Sequence, residues 1–250
     1  MAMNVDVLGD SPDLAGPLAD VLREDPDLAS PLAAERQAPA HRAAAAVVLE
    51  LAGGTWDARE AADAARGGFG LLIIEGLLLR RVGRDGRFGA ELLAPGDIVR
   101  PWQHDGESTT VPFETTWRVP TRTRLAVLDL PWVRRMAPYP EVGAALVGRA
   151  LERSQRLAVN MAIAQHPRLE VRLEVLLWHL AERLGRVCPD GVHLPLPLTH
   201  ETLGNLIAAR RPSVSAALGA LAERGVVNRD EDGWVLLGEP PDDLDVRIQR

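Results

Sequence analysis

The segment THETLGNLIAARRPSVSAALGALAERG, residues 199–225, constrains the fold more than any other part of the 250-residue chain. Thr199 is suited to cap a helix, because its hydroxyl can accept a hydrogen bond from a first-turn N–H group. Apolar residues follow at helical spacing: Leu203, Leu206 and Ile207. Ala208-Ala209-Arg210 leaves room for only a short connection, and Gly225 is typical of the position just past a helix end. The segment therefore predicts two helices joined by a tight turn.

The second of these helices, predicted over about 211–224, has two distinct faces. Its apolar residues predict an inward face of Val214, Ala217, Leu218 and Leu221. The opposite stripe is small and polar and consists of Arg211, Pro212, Ser215, Ala216 and Gly219. Pro212 fits a first helical turn, where its missing N–H has no partner to lose. The helix can therefore approach another surface closely and present one guanidinium there.

This pattern predicts a helix-turn-helix whose second helix enters the major groove of DNA. Arg211 can offer two parallel donors to a guanine edge, whereas Arg210 can reach a phosphate. The hydroxyls of Ser213 and Thr199 can bind the DNA backbone. The predicted DNA-binding residues are Thr199, His200, Arg210, Arg211, Pro212, Ser213, Ser215 and Ala216.

The following stretch, GVVNRDEDGWVLLG, predicts a strand, a tight turn and a second strand, which together form a β-wing. An ordinary helical hairpin followed by a β-hairpin is the alternative. Residues 167–240 contain 8 arginines and 10 acidic residues, and the predicted wing tip, Asp230-Glu231-Asp232, would repel phosphate. Binding to DNA should therefore depend on a dimer and on a few specific contacts.

Residues 47–131 have a different residue pattern from the predicted helical segments. Short apolar runs are separated by Gly, Pro and Asp clusters; they include VVLEL, FGLLIIEG, LLLRRV, AELL, TTWRV and RLAVLDL. Such runs predict a small β-roll, and Asp85-Gly86 predicts a hairpin turn within it. Residues 1–46 are rich in Asp, Pro and Ala and predict a cap with short helices at 14–23 and 27–36.

A long helix is predicted to open near Pro140 and to end before Pro167. It carries a mostly apolar stripe that we expect to form a dimer interface, made of Val142, Leu146, Arg149, Arg153, Leu157 and Met161. Packing of this helix against its own β domain is the alternative. A further helix is predicted over 168–186.

The composition excludes several classes of protein. A single cysteine, Cys188, excludes an intrachain disulfide framework and any four-cysteine metal site. We find no nucleophile elbow, phosphate loop, metal-ligand set or spaced carboxylate pair, so we predict neither an enzyme nor a metal site. The chain shows no signal peptide and no apolar run that could span a bilayer, which favours a cytoplasmic location.

The motif LPLTHETLGNLIAARRPSVSAALGALAERGVV, residues 196–227, resembles the helix-turn-helix signature of the Crp–Fnr family of bacterial transcription regulators. Arg211 stands where family members place a base-reading arginine. Pro212 and Ala216 replace two further base-reading positions of the family, so the recognised DNA sequence should differ. The resemblance implies an α+β fold: an N-terminal cyclic-nucleotide-binding-like β-roll (jelly roll), a long dimerisation helix and a C-terminal winged helix-turn-helix.

The predicted β-roll departs from the family pattern. Cyclic-nucleotide-binding members carry a cassette made of a Gly-Glu pair and a later Arg-Ser/Thr pair, and RPWQHDGESTTVPFETTW, residues 100–117, contains no such cassette. Arg100, Arg122 and Arg124 could meet an anion, although such arginines are usually just solvated. We therefore predict no cofactor and no cyclic nucleotide. Haem stays open as a weaker alternative, for which His104 beside Trp102 is the first histidine to test.

The sequence as a whole predicts a homodimeric, sequence-specific regulator of transcription that binds a roughly palindromic double-stranded DNA operator. RNA polymerase is a candidate partner, and no effector or effector-binding residue is identified. The alternative is a non-catalytic interaction protein that uses the winged helix to bind a partner. The predicted boundaries are a cap at 1–46, the β-roll at 47–131, the dimerisation helix at 132–166, the winged helix at 167–240 and a tail at 241–250.

Overall fold

The computed structural model describes residues 16–65, 67–101 and 113–241, which form two compact units. The first unit comprises the described residues within Met1–Arg80 and Leu92–Arg153, and the second those within Arg81–Glu91 and Ser154–Arg250. The predicted fold class is confirmed, because an N-terminal β domain, a long helix and a C-terminal helix-turn-helix follow one another along the chain. Among the described residues, every helix is too short or too polar to cross a membrane.

The N-terminal β domain contains seven strands among the described residues. Its elements are β1 (Leu18–Asp20), α1 (Val21–Glu24), α2 (Ala34–Ala43), β2 (Ala45–Leu51), β3 (Gly54–Trp56), α3 (Arg59–Ala65), β4 (Gly70–Arg84), β5 (Arg87–Leu93), β6 (Ile98–Val99) and β7 (Glu114–Leu128), followed by α4 (Leu130–Met136) and α5 (Pro140–Gln165). The strand order is β1-β2-β7-β4-β5, with β3 paired to β7 and β6 paired to β4.

The N-terminal segment contains shorter elements than the sequence predicted. The helix expected at 14–23, of which residues 14 and 15 lie outside the described residues, is replaced by β1 and the single turn α1. β1 pairs with β2, and this tertiary pairing overrides the local helical preference. The helix expected at 27–36 is wrong because Pro31 would interrupt it. A 3₁₀ turn at Pro26–Leu28 and α2 stand on either side of that proline.

Two long strands, β4 and β7, each join two apolar runs that the sequence indicated as separate strands. β4 passes through Gly76, whose φ of 85° bends the strand without ending it. A Cβ at Gly76 would lie 2.3 Å from the Arg122 carbonyl oxygen, so this position requires glycine. β7 contains Pro120, which lies between the stretch paired with β3 and the stretch paired with β2. Neither Gly76 nor Pro120 therefore interrupts its strand.

The hairpin between β4 and β5 has the turn that the sequence predicted. Asp85 and Gly86 both have positive φ, 53° and 76°. Two left-handed residues form the turn whose twist matches that of the flanking strands.

Two apolar cores lie among the described residues of the first unit. One lies around Trp132 and joins α1, α2 and α4 to the start of α5. The Trp132 indole N–H donates to the Ala44 carbonyl at 3.1 Å, which fixes its orientation. The other core lies between α3 and the strands and contains Leu71, Leu78 and Leu125, each without exposed surface.

The second unit ends the described chain with a helical and a β layer. Its further elements are α6 (Leu169–Leu184), β8 (Arg186–Cys188), β9 (Gly191–Leu194), α7 (His200–Leu206), α8 (Arg211–Glu223), β10 (Val227–Arg229) and β11 (Trp234–Leu236). The strands form an antiparallel sheet in the order β10-β11-β9-β8. The sequence predicted the wing strands β10 and β11 but missed the pairing of β8 with β9.

Candidate nucleic-acid interface

Helix α7 begins as the sequence predicted. The Thr199 hydroxyl accepts a hydrogen bond from the Thr202 N–H at 3.1 Å and caps the helix. The predicted apolar face is confirmed, because Leu203, Leu206 and Ile207 are all buried. The cap and this face together fix the start and the rotation of α7 against the rest of the unit.

The connection between α7 and α8 depends on Gly204, which was not singled out from the sequence. Ala208 has a φ of 55°, and the Ala209 N–H donates to the Gly204 carbonyl at 2.8 Å. A Cβ at Gly204 would lie 2.6 Å from the Ala209 carbonyl oxygen. Gly204 therefore permits the tight turn that sets α8 against α7.

Helix α8 has the two faces predicted from the sequence. Its inward face is buried and consists of Val214, Ala217, Leu218 and Leu221. Its outward face is exposed and consists of Arg211, Pro212, Ser213, Ser215, Ala216 and Gly219. Arg210 provides the N-cap and is exposed as well. Gly225, with a φ of 66°, follows the helix end as expected.

His200 connects the two helices. Its Nδ1 lies 2.7 Å from the Ser215 hydroxyl, which also lies 3.1 Å from the Arg211 carbonyl oxygen. Burial lowers the pKa of His200 below its ordinary value, and the nearby positive charges of Arg229 and Arg211 lower it further. These effects favour the neutral form of the histidine beside the exposed face of α8.

The wing is fastened beside this face. The Arg229 guanidinium stacks over the Trp234 ring, 4.6 Å from its centroid, and donates to the Leu198 carbonyl at 3.2 Å. The Trp234 ring in turn lies 6.2 Å from the His200 ring, centroid to centroid. The acidic tip, residues 230–232, is exposed.

The residues predicted to form a dimer interface lie largely elsewhere. Val142 and Leu146 have no exposed surface and belong to the core of the first unit. The prediction is therefore wrong for these two residues, because a fully covered side chain cannot contact a second chain. Arg149 pairs with Asp25, with Nη2 and Oδ1 2.8 Å apart, and Arg153 donates to the Ile98 carbonyl at 2.8 Å.

Both arginines are therefore held by their own β domain, the arrangement that the sequence analysis kept as the alternative. Leu157 is half-buried, whereas Met161 is 71% exposed.

The opposite side of α5 carries an exposed apolar stripe, of which the sequence predicted only Met161 as an interface residue. This outer stripe consists of Val147, Leu151, Ala158, Met161 and Ala162, which recur at helical spacing. Leu151 and Val147 are 64% and 53% exposed. Apolar side chains this exposed along one helix mark a surface for association.

The expected effector region is described only in part, because Trp102 and His104 lie outside the described residues. Arg122 pairs with Glu50 and Arg124 pairs with Glu24. Arg100 lies 3.4 Å from the Gly68 carbonyl oxygen. Each of these arginines already has a protein partner.

A cavity of about 450 Å³ lies in the first unit beside two tryptophans. Trp56 and Trp117 stand edge to face with centroids 5.7 Å apart, and Arg59 and Thr115 also line the cavity. This volume falls within the range of small-molecule sites.

A mixed group of possible metal ligands lies in the second unit. Cys188, Asp190 and His193 each offer one ligand atom, and these atoms lie within 4.8 Å of one another. A hydrogen bond from His193 lowers the pKa of Asp190 below its ordinary value. The sequence did not predict this group, because Cys-x-Asp-x-x-His matches no established ligand spacing.

Comparison with known proteins agrees with this geometry. Residues 171–239 match the family model of the Crp-like helix-turn-helix domain. A search of curated protein sequences found no match. The structures that resemble this fold include a mutant of CooA from Carboxydothermus hydrogenoformans, with a TM-score of 0.57 and 15% identity over 77% of this chain and 83% of that one.

FixK2 from Bradyrhizobium japonicum has a TM-score of 0.56 and 15% identity, over 77% of this chain and 93% of that one. A CRP/FNR-family transcriptional regulator from Thermus thermophilus has a TM-score of 0.52 and 19% identity, over 76% of this chain and 93% of that one. At these identities the structures show the fold alone, and the family model shows a Crp-like helix-turn-helix domain at residues 171–239. The matched domain is the helix-turn-helix that the resemblance in the sequence implied.

Proposed function

We propose that the protein acts as a homodimer that binds a roughly palindromic DNA operator through the outward face of α8. The observation that carries this proposal is that face itself, on which Ser213, Ser215 and Ala216 are small and exposed. Arg211 stands at its N-terminal end with no ion pair among the described residues. A small surface permits close approach to the groove, and one guanidinium can read a guanine.

In this proposal, Arg211 contacts a base, whereas Arg210 and the hydroxyls of Ser213 and Thr199 contact the DNA backbone. His200, Pro212, Ser215 and Ala216 complete the contact surface. Ser215 and His200 are hydrogen-bonded to each other, so their main role is to position the face and not to reach the DNA.

The outer stripe of α5 supports the homodimer. A second copy of the same helix offers a matching apolar surface, as in two-helix coiled coils. Leu151 lies within this stripe and is 64% exposed. A symmetric dimer would set two recognition helices about 34 Å apart, in successive major grooves.

In this proposal the β-roll binds an effector. The cavity beside Trp56 and Trp117 is the candidate effector site, because aromatic walls and a few polar groups are typical of small-molecule sites. An effector would act by binding one arrangement of the dimer more tightly than the other.

The first test compares the wild type with Leu151→Glu. We expect the wild type to sediment as a dimer and to bind a pool of duplex DNA with an affinity that falls steeply as salt rises. Leu151→Glu should be monomeric and should bind weakly, because a buried carboxylate at each stripe opposes association. Leu18→Glu, at an exposed leucine outside α5, is the matched control and should behave as the wild type.

Two outcomes would contradict the proposal. A dimeric Leu151→Glu protein would place the interface elsewhere. Wild-type binding that does not respond to salt would argue against DNA as the partner and for a protein partner of the winged helix.

A further inference from the structure

The β8–β9 hairpin brings three different donor types to one point. Cys188 ends β8, Asp190 lies in the turn and His193 lies on β9. The strand register pairs Cys188 with Gly191 and Arg186 with His193, so backbone hydrogen bonding holds the hairpin. The thiol, the carboxylate and the imidazole converge because this short turn folds the chain back on itself.

Gly191 makes the turn possible. Its φ is 137°, and a Cβ there would lie 2.4 Å from the Leu236 carbonyl oxygen on the neighbouring strand. The hairpin is therefore packed tightly against β11, and its three ligand side chains project from a fixed backbone.

The histidine ring is held between two carboxylates. Its Nε2 lies 3.0 Å from both oxygens of Asp190, whereas its Nδ1 lies 3.6 Å from Oδ2 of Asp230 at the wing turn. A cation bound between Nε2 and the Asp190 carboxylate would replace the proton that they share. The Asp230 carboxylate would then receive the Nδ1–H, an arrangement that orients many metal-bound histidines.

We propose that Cys188, Asp190 and His193 bind one divalent zinc ion, with Asp230 positioning the His193 ring. Thiolate and imidazole ligands together favour zinc over magnesium or calcium. Tetrahedral zinc holds its ligand atoms about 3.5 Å apart, so small side-chain rotations suffice from separations within 4.8 Å. Binding releases the Cys188 thiol proton to solvent, and a water completes the fourth position. The site is separate from the face of α8 and goes beyond the proposed DNA contact.

The proposal is tested on the full chain without a histidine tag, kept reduced and freed of metal by a chelator. Cobalt(II) serves as the spectroscopic probe, and zinc then displaces it. We expect saturable binding of one ion per chain, with a thiolate-to-cobalt charge-transfer band that disappears when zinc is added.

The variants assign the ligands. Cys188→Ser should lose the charge-transfer band, and His193→Gln should lose tight binding. Asp230→Asn should keep the band and bind about 10- to 100-fold more weakly, as expected for a residue that orients a ligand. His166→Gln, which removes a histidine outside the cluster, should bind as the wild type.

Circular dichroism of each variant checks that the fold is retained. Absence of one-to-one binding would overturn the proposal. An unchanged cobalt spectrum in Cys188→Ser would overturn it as well, because the ion would then lie elsewhere.

Discussion

Helices α5 and α8 both have two faces, but arginine plays opposite roles on them. On α8, Arg211 stands on the exposed face, opposite a buried apolar stripe. On α5, Arg149 and Arg153 stand on the same side as the buried Val142 and Leu146. The apolar face of α5 that remains exposed is the outer stripe, on the other side of the helix.

The difference shows what decides the side on which an arginine lies. A long side chain can cover apolar surface while its guanidinium reaches a partner, and Asp25 and the Ile98 carbonyl supply such partners on α5. Nothing in the sequence near Arg149 indicates a carboxylate more than a hundred residues away. On α8 the face is defined by neighbours within one turn.

The largest effect should come from the buried side of α5. Leu146→Ala, made in the monomeric Leu151→Glu background, should lower the free energy of unfolding of the first unit by about 2–5 kcal/mol, because it leaves a cavity. Val147→Ala in the same background should change it by less than about 0.5 kcal/mol. Urea unfolding followed by tryptophan fluorescence measures both. Equal effects would contradict the assignment of the two faces.

A smaller loss is expected from the ion pair. Arg149→Ala should lower the free energy of unfolding by up to about 3 kcal/mol, because the Asp25 carboxylate is left mostly covered and unpaired. The double variant with Asp25→Ala should recover part of that loss. If Arg149→Ala instead weakened dimerisation and left unfolding unchanged, the sequence-based interface would be right and the observed pairing irrelevant.

On α8, substitutions of the neighbouring Arg210 and Arg211 should affect DNA binding in different ways. Arg211→Ala should weaken binding to a selected operator by about 1–3 kcal/mol and relax the preference at one base pair per half-site. Arg210→Ala should weaken binding to all duplexes alike and reduce the salt dependence. Fluorescence anisotropy on the operator and on a scrambled duplex separates the two. Uniform weakening by Arg211→Ala would make it a phosphate contact.

The smallest effect concerns His200. Because its pKa is lowered in the folded protein, the unfolded chain takes up the proton first as pH falls below the ordinary value. Stability should therefore decrease as pH falls through that range, and His200→Gln should remove this part of the dependence. An NMR titration should place the His200 midpoint below that of an ordinary histidine. A midpoint at or above the ordinary value would show that the ring is not desolvated.

The sequence-based predictions were correct where the interacting residues are close in sequence and wrong where they are far apart. Thr199, Asp85-Gly86 and the faces of α8 depend on residues a few positions apart, and each was predicted correctly. β1, the buried side of α5 and the pairing of His193 with Asp230 depend on partners far along the chain, and each was missed. The sequence divided β4 into two runs at Gly76, although a glycine can bend a strand as well as end it.

Selection of bound fragments from random duplex DNA, with the wild type and Arg211→Ala in parallel, tests the central claim most directly. We predict an enriched, roughly palindromic sequence with half-sites about one helical turn apart, in which one base pair per half-site loses its preference in the variant. An enriched sequence that is identical for both proteins, or no enrichment for the wild type, would contradict sequence reading by the exposed face of α8.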